Sequence, residues 1–182
     1  MPGAIADSST LIHLSAIGRL GLLPEAHGTV SVPPAVWREV VEQGRSRPGA
    51  AAVAGAREEG WLTVESPQSD ALVLLLRRQL DDGESEAIAL AVEQRPDVLL
   101  LDELEARRVA RTFQLPVSGA IGILIRAKLQ GTVTSLSAEL DRLRDEGGFW
   151  LSKDLYNQAI AAVGEGPADT RRSGARRIDY PH

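Results

Sequence analysis

The stretch VLLLDELEARRVARTF, residues 98–113, joins an apolar run to a helical pattern through Asp102. Residues 98–101 are apolar at every position, which is typical of a strand buried on both faces of a parallel sheet. Residues 104–113 repeat apolar side chains at helical spacing. The stretch AIADSSTLIHL, residues 4–14, has the same organisation, with Asp7 after its apolar run. The chain therefore ends two predicted strands on a carboxylate.

The rest of the sequence alternates short strands with helices, which favours an α/β fold with a parallel sheet covered by helices on both faces. We expect strands at residues 4–6, 29–32, 61–64, 98–101, 115–117 and 149–151. We expect helices at residues 9–20, 33–44, 48–59, 70–80, 84–94, 104–113, 120–130, 135–145 and 153–163. We predict one domain over residues 1–163. From Gly164 the composition turns to Gly, Pro, Ser and Arg, which predicts a disordered, arginine-containing tail over residues 164–182.

The composition of the 182-residue chain is that of a globular protein, with 43% apolar and 25% charged residues. The chain has no cysteine, which excludes disulfides and thiolate metal sites, and its three histidines are scattered. The net charge is −5, so nucleic-acid binding requires a local basic patch. Because the sequence shows neither a targeting signal nor an apolar run long enough to cross a bilayer, we expect a cytoplasmic protein without membrane contact.

The two strand-end acids point to a ligand site. The carboxyl ends of parallel strands share one edge of the sheet, and α/β proteins bind ligands in the crevice there. If their strands are neighbours, Asp7 and Asp102 share that crevice. Each acid also has a simpler interpretation, as the cap of the helix that follows it. The sequence leaves both interpretations open.

Two further acids lie on apolar stripes of predicted helices. Glu39 shares its stripe with two valines, which directs it inward, although an acid at the edge of the stripe would reach solvent instead. Glu84 shares its stripe with small apolar residues, whereas Glu86 lies on a mixed one. The helix macrodipole explains acids in a first turn, but it does not explain an acid on a buried stripe.

These four acids are expected to converge in one dry crevice. Carboxylates repel one another there and are costly to desolvate. The chain has only two lysines, so protein cations are poor candidates to compensate the acids. A divalent cation is the natural compensation, and oxygen ligands without Cys or His favour Mg²⁺ or Mn²⁺. Sites of this kind commonly act on phosphate esters.

Five stretches resemble, in order, the sequence blocks of PIN-domain nucleases: ADSSTLIHL, VPPAVWREVVEQG, LDDGESEAIALA, VLLLDELEARRVA and LPVSGAIGIL. The third is similar to the block of VapC-like toxins that reads Gly-Glu-x-Glu-Ala-Ile. The resemblance covers about residues 4–163. It implies a three-layer α/β/α sandwich with a central parallel sheet. It also implies a Mg²⁺- or Mn²⁺-dependent endoribonuclease that hydrolyses single-stranded RNA, acts as the toxin of a toxin–antitoxin pair, and has an antitoxin protein and a second copy of itself as partners.

By position, the resemblance implies four catalytic acids: Asp7, Glu39, Glu84 and Asp102. Three of them, Asp7, Glu84 and Asp102, are the implied metal ligands. Ser9 matches the hydroxyl residue two positions after the first acid and has a supporting role. Glu84 stands where better-known members carry aspartate, so Glu86 is a second supporting residue that would assist or replace it. His13 stands where this branch often has asparagine.

Three arginines, Arg107, Arg108 and Arg111, lie outward on the helix that begins just after Asp102. We expect them to hold RNA phosphates. The alternative is ordinary pairing on the helix surface, such as Glu103 with Arg107. A second alternative concerns the whole chain, since a PIN fold could bind RNA or a partner protein without cleaving.

Overall fold

The computed structural model describes residues 3–166. Five strands form one sheet in which every neighbouring pair is parallel, as predicted. In chain order they are β1 Ala4–Ala6, β2 Val30–Val32, β3 Leu62–Val64, β4 Val98–Leu100 and β5 Val117–Ser118. Their order across the sheet is β3-β2-β1-β4-β5.

Helices connect the strands and cover both faces of the sheet. They are α1 Ser8–Ala16, α2 Leu22–His27, α3 Pro34–Trp37 with a π-helical turn Arg38–Glu42, α4 Pro48–Glu58, α5 Asp70–Leu76, α6 Asp82–Gln94, α7 Leu104–Thr112, α8 Ala120–Leu129, α9 Leu136–Asp145 and α10 Lys153–Ala162. Several begin at a Ser or Asp whose side chain accepts a backbone N–H of the first turn.

The strands divide their side chains between two cores because alternate residues point to opposite faces. Ala4 and Ala6 of β1 pack into a core shared with α1, α4, α8 and α9. Ile5 and Leu99 pack into the other core, with α5, α6 and α7. The predicted three-layer α/β/α sandwich is therefore confirmed.

The order of the strands places a topological switch point between β1 and β4. From β1 the chain moves outward to β2 and β3, then returns to β4 on the opposite side of β1. Ala6 pairs with Leu100, and the Asp7 N–H donates to the Leu100 carbonyl at 3.1 Å. In open α/β sheets ligands bind at such a switch point, outside the carboxyl ends of the strands. Asp7 and Asp102 flank it.

Three predictions about secondary structure were wrong. Residues 149–151 form no strand, because a three-residue apolar run has no strand beside it to pair with, and Trp150 is 83% exposed. The helix α2 was missed, and β5 begins two residues later than expected. Among residues 3–166, no helix is long and apolar enough to cross a bilayer.

Near the end of the described residues, the carboxylate of Glu165 binds the start of α9. One oxygen accepts the Leu136 N–H at 2.7 Å and the other accepts the Ser137 N–H at 3.0 Å, at the start of α9. Lys128 Nζ lies 2.9 Å from the first oxygen. Burial acts to raise the pKa of Glu165, but the two N–H groups and Lys128 lower that pKa to about 2. Residues 167–182 of the predicted tail lie outside the described residues.

Candidate active site

Asp7 ends β1 and caps α1, so both interpretations of this acid hold together. Its side chain is buried, and Oδ1 accepts the Thr10 N–H at 3.0 Å. Oδ2 is buried without a hydrogen-bond partner among the described residues. Burial raises the pKa of Asp7 well above its usual value, and the charges of Asp102 and Glu84 raise it further against the Thr10 bond. The carboxyl group therefore resists ionisation until a cation or a donor reaches Oδ2.

Asp102 is held by groups from two other elements. Its Oδ1 accepts the Ala120 N–H of α8 at 2.8 Å, and its Oδ2 lies 2.6 Å from His13 Nδ1 of α1. The His13 ring packs edge-on against Phe149, with centroids 4.9 Å apart. Residue 119 must be glycine, because a Cβ there would overlap Asp102 Oδ1 and the Leu101 carbonyl. The side chain of Asp102 is thus oriented before any ligand arrives.

Glu84 lies in the first turn of α6 within a capping box. Its N–H donates to Asp81 Oδ1 at 2.7 Å, and its Oε2 accepts the Asp81 N–H at 3.3 Å. Only 8% of Glu84 is exposed. Burial and then the charge of Asp81 raise the pKa of Glu84 to about 7, with smaller contributions from Glu103 and Glu39. Glu84 is therefore partly protonated at neutral pH.

Glu39 lies on the π-helical turn and is exposed rather than buried. Its Oε2 nevertheless accepts the Ser8 hydroxyl at 2.6 Å, which ties the turn to the start of α1. Gly83 of α6 packs beside this bond, since a Cβ there would lie 3.3 Å from Ser8 Oγ. The Glu39 carboxylate therefore lies at the solvent-exposed edge of the region that contains the other three acids.

The four acids share one edge of the sheet but do not form one closed cluster. The charges of Asp102 and Glu84 raise the pKa of Asp7, and the charge of Glu39 raises the pKa of Glu84. Glu39 and Asp102 line two different grooves. Within residues 3–166, no three Asp, Glu or His side chains stand close enough together to hold a metal ion as they are.

The two residues expected to support the acids are placed differently. Both oxygens of Glu86 are engaged elsewhere, one accepting the Ala35 N–H at 2.8 Å and the other 3.2 Å from Arg77. Ser9 is half-buried on α1. The Ser8 hydroxyl donates to Glu39, whereas no such bond to a site acid is found for Ser9 among residues 3–166. Neither Glu86 nor Ser9 therefore hydrogen-bonds to one of the four acids within residues 3–166.

The three arginines of α7 have three different environments. Arg107 is half-buried and donates to the Leu101 carbonyl at 3.0 Å. Burial and the nearby Arg111 lower the pKa of Arg107, while Asp102 and Asp7 act to raise it. Arg108 pairs with Glu105 at 2.6 Å, which is the surface pairing considered above but with another glutamate. Arg111 is exposed and lines a groove with Asp102.

Arg107 is a cation near the acids that sequence reasoning did not place there, although within residues 3–166 it forms no ion pair with any of them. The side chain folds back over the first turn of α7, so its guanidinium lies beside Asp102 although five positions separate them. Sequence reasoning also missed the contacts of His13 and Gly119. The one available signal was that both lie inside the stretches that resemble the PIN blocks.

A comparison with protein families matches residues 3–165 to a family model described as a PIN domain. The chain belongs to the PIN-domain family. Among curated proteins, none matches the chain. PIN domains are generally nucleases, so the family indicates a nuclease-type function. In this PIN domain the strand-end acids Asp7 and Asp102 lie at the switch point of the sheet.

Proposed function

We propose that this PIN domain is a cytoplasmic, metal-dependent endoribonuclease that hydrolyses phosphodiester bonds of single-stranded RNA. The observation that carries the proposal is Asp7 Oδ2, which is buried without a partner at the switch point. An ionised carboxylate in that position is costly unless a cation or a donor compensates it. Asp102 and Glu84 stand near enough to raise its pKa further. A bound cation would relieve all three groups.

The donor set fits Mg²⁺ or Mn²⁺, since every candidate ligand is a carboxylate oxygen. Asp7, Glu84 and Asp102 would hold the ion, and Glu39 would complete the acid group at the solvent side. When bound, such an ion supplies Lewis-acid activation of a phosphate ester.

The protein's own groups prepare the site for substrate. Backbone N–H groups fix one oxygen of Asp7 and one of Asp102, and Asp7 Oδ2 is left without a hydrogen-bond partner among the described residues. Glu84 holds a proton near neutral pH in the cation-free protein and must release it to act as a ligand. Arg107 and Arg111 supply positive charge for the substrate phosphates beside Asp102.

The proposal extends to the biological role. The third sequence block, GESEAI, resembles that of VapC-like toxins. On that resemblance we propose that the chain is the toxin of a toxin–antitoxin pair, that it assembles as a homodimer, and that a small antitoxin protein inhibits it. Light scattering of the purified chain tests the dimer. Co-expression with the product of a neighbouring small reading frame tests the antitoxin.

Cleavage of a mixed RNA pool tests the chemistry. The purified wild type is compared with Asp102→Asn, in Mn²⁺ and in chelator. Asp97→Asn is the matched control, because this exposed acid precedes β4 at the other end of the strand. We expect cleavage by the wild type and by Asp97→Asn in Mn²⁺ only, and little by Asp102→Asn. Cleavage that survives chelation, or equal cleavage by all three proteins, would contradict the proposal.

The second candidate function is RNA or protein binding without cleavage. It is favoured by the fact that both oxygens of Asp102 already have protein partners, Ala120 and His13. A wild type that binds RNA in chelator, shows no thermal shift with Mn²⁺ and cleaves nothing would establish it.

A further inference from the structure

A groove of about 510 Å³ opens beside Asp102, and the proposed mechanism uses little of it. One wall comes from α7 and carries Arg107 and Arg111. The segment before α10 contributes Phe149 and Trp150 to the lining. The volume falls in the range typical of small-ligand pockets. The groove therefore adjoins the candidate active site at Asp102, and its lining combines two cations with two aromatic rings.

Trp150 is the most exposed large apolar side chain of the described residues, at 83%. Burying an indole is among the largest apolar gains available to a protein, so an exposed one at a groove marks a contact surface. Its neighbour Phe149 is fixed edge-on against His13, which itself contacts Asp102. The segment that carries Trp150 is thus anchored to the candidate active site.

The cationic wall is available for an anionic ligand. Among the ion pairs within residues 3–166, neither Arg107 nor Arg111 pairs with a carboxylate, whereas Arg108 on the same helix pairs with Glu105. Arg111 lies close enough to Arg107 for its positive charge to lower the pKa of Arg107. An anion between them and the aromatic wall would relieve that repulsion.

We propose that this groove binds one unpaired nucleotide of the RNA, adjacent to the phosphodiester that is cleaved. The base stacks on the Trp150 indole, and its phosphate lies against Arg111 and Arg107. Single-stranded RNA is commonly held in this way, by stacking on aromatic rings and by charge on the backbone. An apolar peptide would fill the groove equally well but would leave two guanidinium groups unpaired. The inference rests on the proposed function, since it names a substrate subsite of the same site.

Binding without cleavage tests the stacking contact. Two fluorescent probes, a six-nucleotide adenine RNA and a six-unit abasic phosphate backbone, are titrated in chelator. The proteins are wild type, Trp150→Ala, Trp150→Phe and the control Leu129→Ala, which truncates an exposed side chain at the far end of α8. We expect Trp150→Ala to bind the RNA about 5- to 100-fold more weakly, the loss of one stacked base. Trp150→Phe should recover much of this loss, and the abasic probe should not distinguish the proteins.

Salt dependence tests the phosphate contact separately. Removing one phosphate contact to a single strand lowers the slope of log affinity against log salt by about 0.7. We expect that change for Arg111→Ala and no change of slope for Trp150→Ala. The control is Arg126→Ala, an exposed arginine that faces His27 and Asp97 at the other end of the sheet.

The outcomes separate this inference from the ribonuclease proposal. Mn²⁺-dependent cleavage by the wild type with equal RNA binding by wild type and Trp150→Ala overturns the subsite alone. Trp150-dependent RNA binding without any cleavage supports the subsite and contradicts the ribonuclease. Absence of RNA binding by the wild type overturns both. A requirement for Trp150 in binding a protein partner but not RNA also overturns the subsite, because the groove would then be a protein interface.

Discussion

Asp7 and Glu165 are two carboxylates at the N-termini of helices, but their surroundings shift their pKa values in opposite directions. Asp7 caps α1 with one oxygen, while the other has no partner among the described residues and two further acids lie nearby. Glu165 meets two N–H groups of α9 and the ammonium of Lys128. The pKa of Asp7 is raised and that of Glu165 is lowered to about 2, although burial acts to raise both.

The difference shows that the donors and charges around a carboxylate, rather than the helix end itself, decide the direction of its pKa shift. With three donor groups, the ionised form of Glu165 stabilises the folded chain. With one backbone N–H donor, ionisation of Asp7 destabilises the folded chain. A ligand that brings positive charge would remove this cost. Glu165 therefore has a structural role, and Asp7 has the surroundings that we expect of a ligand-binding carboxylate.

The largest effect is expected on cleavage, when each of the two acids is replaced separately by its amide. Asp7→Asn should lower Mn²⁺-dependent cleavage by about 100-fold or more, because it removes a ligand charge. Glu165→Gln should leave cleavage unchanged, since it lies in no part of the site. In chelator, Asp7→Asn should melt no lower than the wild type, because the buried charge is gone. A similar loss of cleavage in both variants would remove the distinction between the two acids.

The next effect concerns the pH dependence of stability in chelator, through Glu84. Its pKa is about 7 in the folded protein and about 4.5 in the unfolded chain, so the folded state binds more protons between these values. Stability should therefore fall as the pH rises from about 4.5 to about 7, and then level off. Glu84→Gln should abolish up to about 3 kcal/mol of this fall.

Urea unfolding of wild type and Glu84→Gln at pH 5 and pH 8 gives the difference, since titrating groups distant from Glu84 cancel between the two proteins. A fall that is equally large in Glu84→Gln would assign it to another group.

A smaller effect, of opposite sign, is expected at Glu165. Its pKa is lowered, so its contribution to stability is present above pH 4.5 and is lost as the pH falls toward about 2. Glu165→Gln keeps the shape but loses the charge, and should cost about 1 kcal/mol at pH 7. Thermal melting at pH 7 and pH 3 is the measurement. A destabilisation that persists undiminished at pH 3 would mean that shape rather than charge matters.

The smallest effect separates two truncations of the C-terminus. We predict that removing residues 167–182 leaves the melting temperature unchanged, because their composition indicates no apolar periodicity. Removing residues 164–182 should lower it by a few degrees, since Glu165 and its contacts with α9 are lost. Equal melting temperatures for the two truncations would show that the Glu165 contacts add nothing.

The sheet was predictable because the sequence signals for its strands lie within single short segments. An uninterrupted apolar run that ends in an acid marked both β1 and β4, and the parallel arrangement followed from the helices between the strands. The placement of Glu84 was also predictable, since α6 is a regular helix and one period describes it throughout. The expected strand at residues 149–151 failed for the converse reason. Strand pairing is a property of two segments, and no local signal reports that the second is missing.

The rest of the site depends on contacts that no single segment reveals. Glu39 was placed by an α-helical period, but the turn that carries it is π-helical, which rotates its side chain outward. His13 and Asp102 are 89 positions apart, and their contact exists only once β1 and β4 are neighbours. Arg107 folds back along its own helix, which residue spacing alone does not predict.

The strand order also determines when the two strand-end acids can meet during synthesis of the chain. Asp7 is translated near the start, but Asp102 and the Ala120 N–H that orients it follow about a hundred residues later. β1 pairs with β2 first in sequence, and with β4 only across that long separation. Contacts so distant form late, after nearby elements have collapsed. The acids at the switch point therefore meet only after most of the domain has been synthesised.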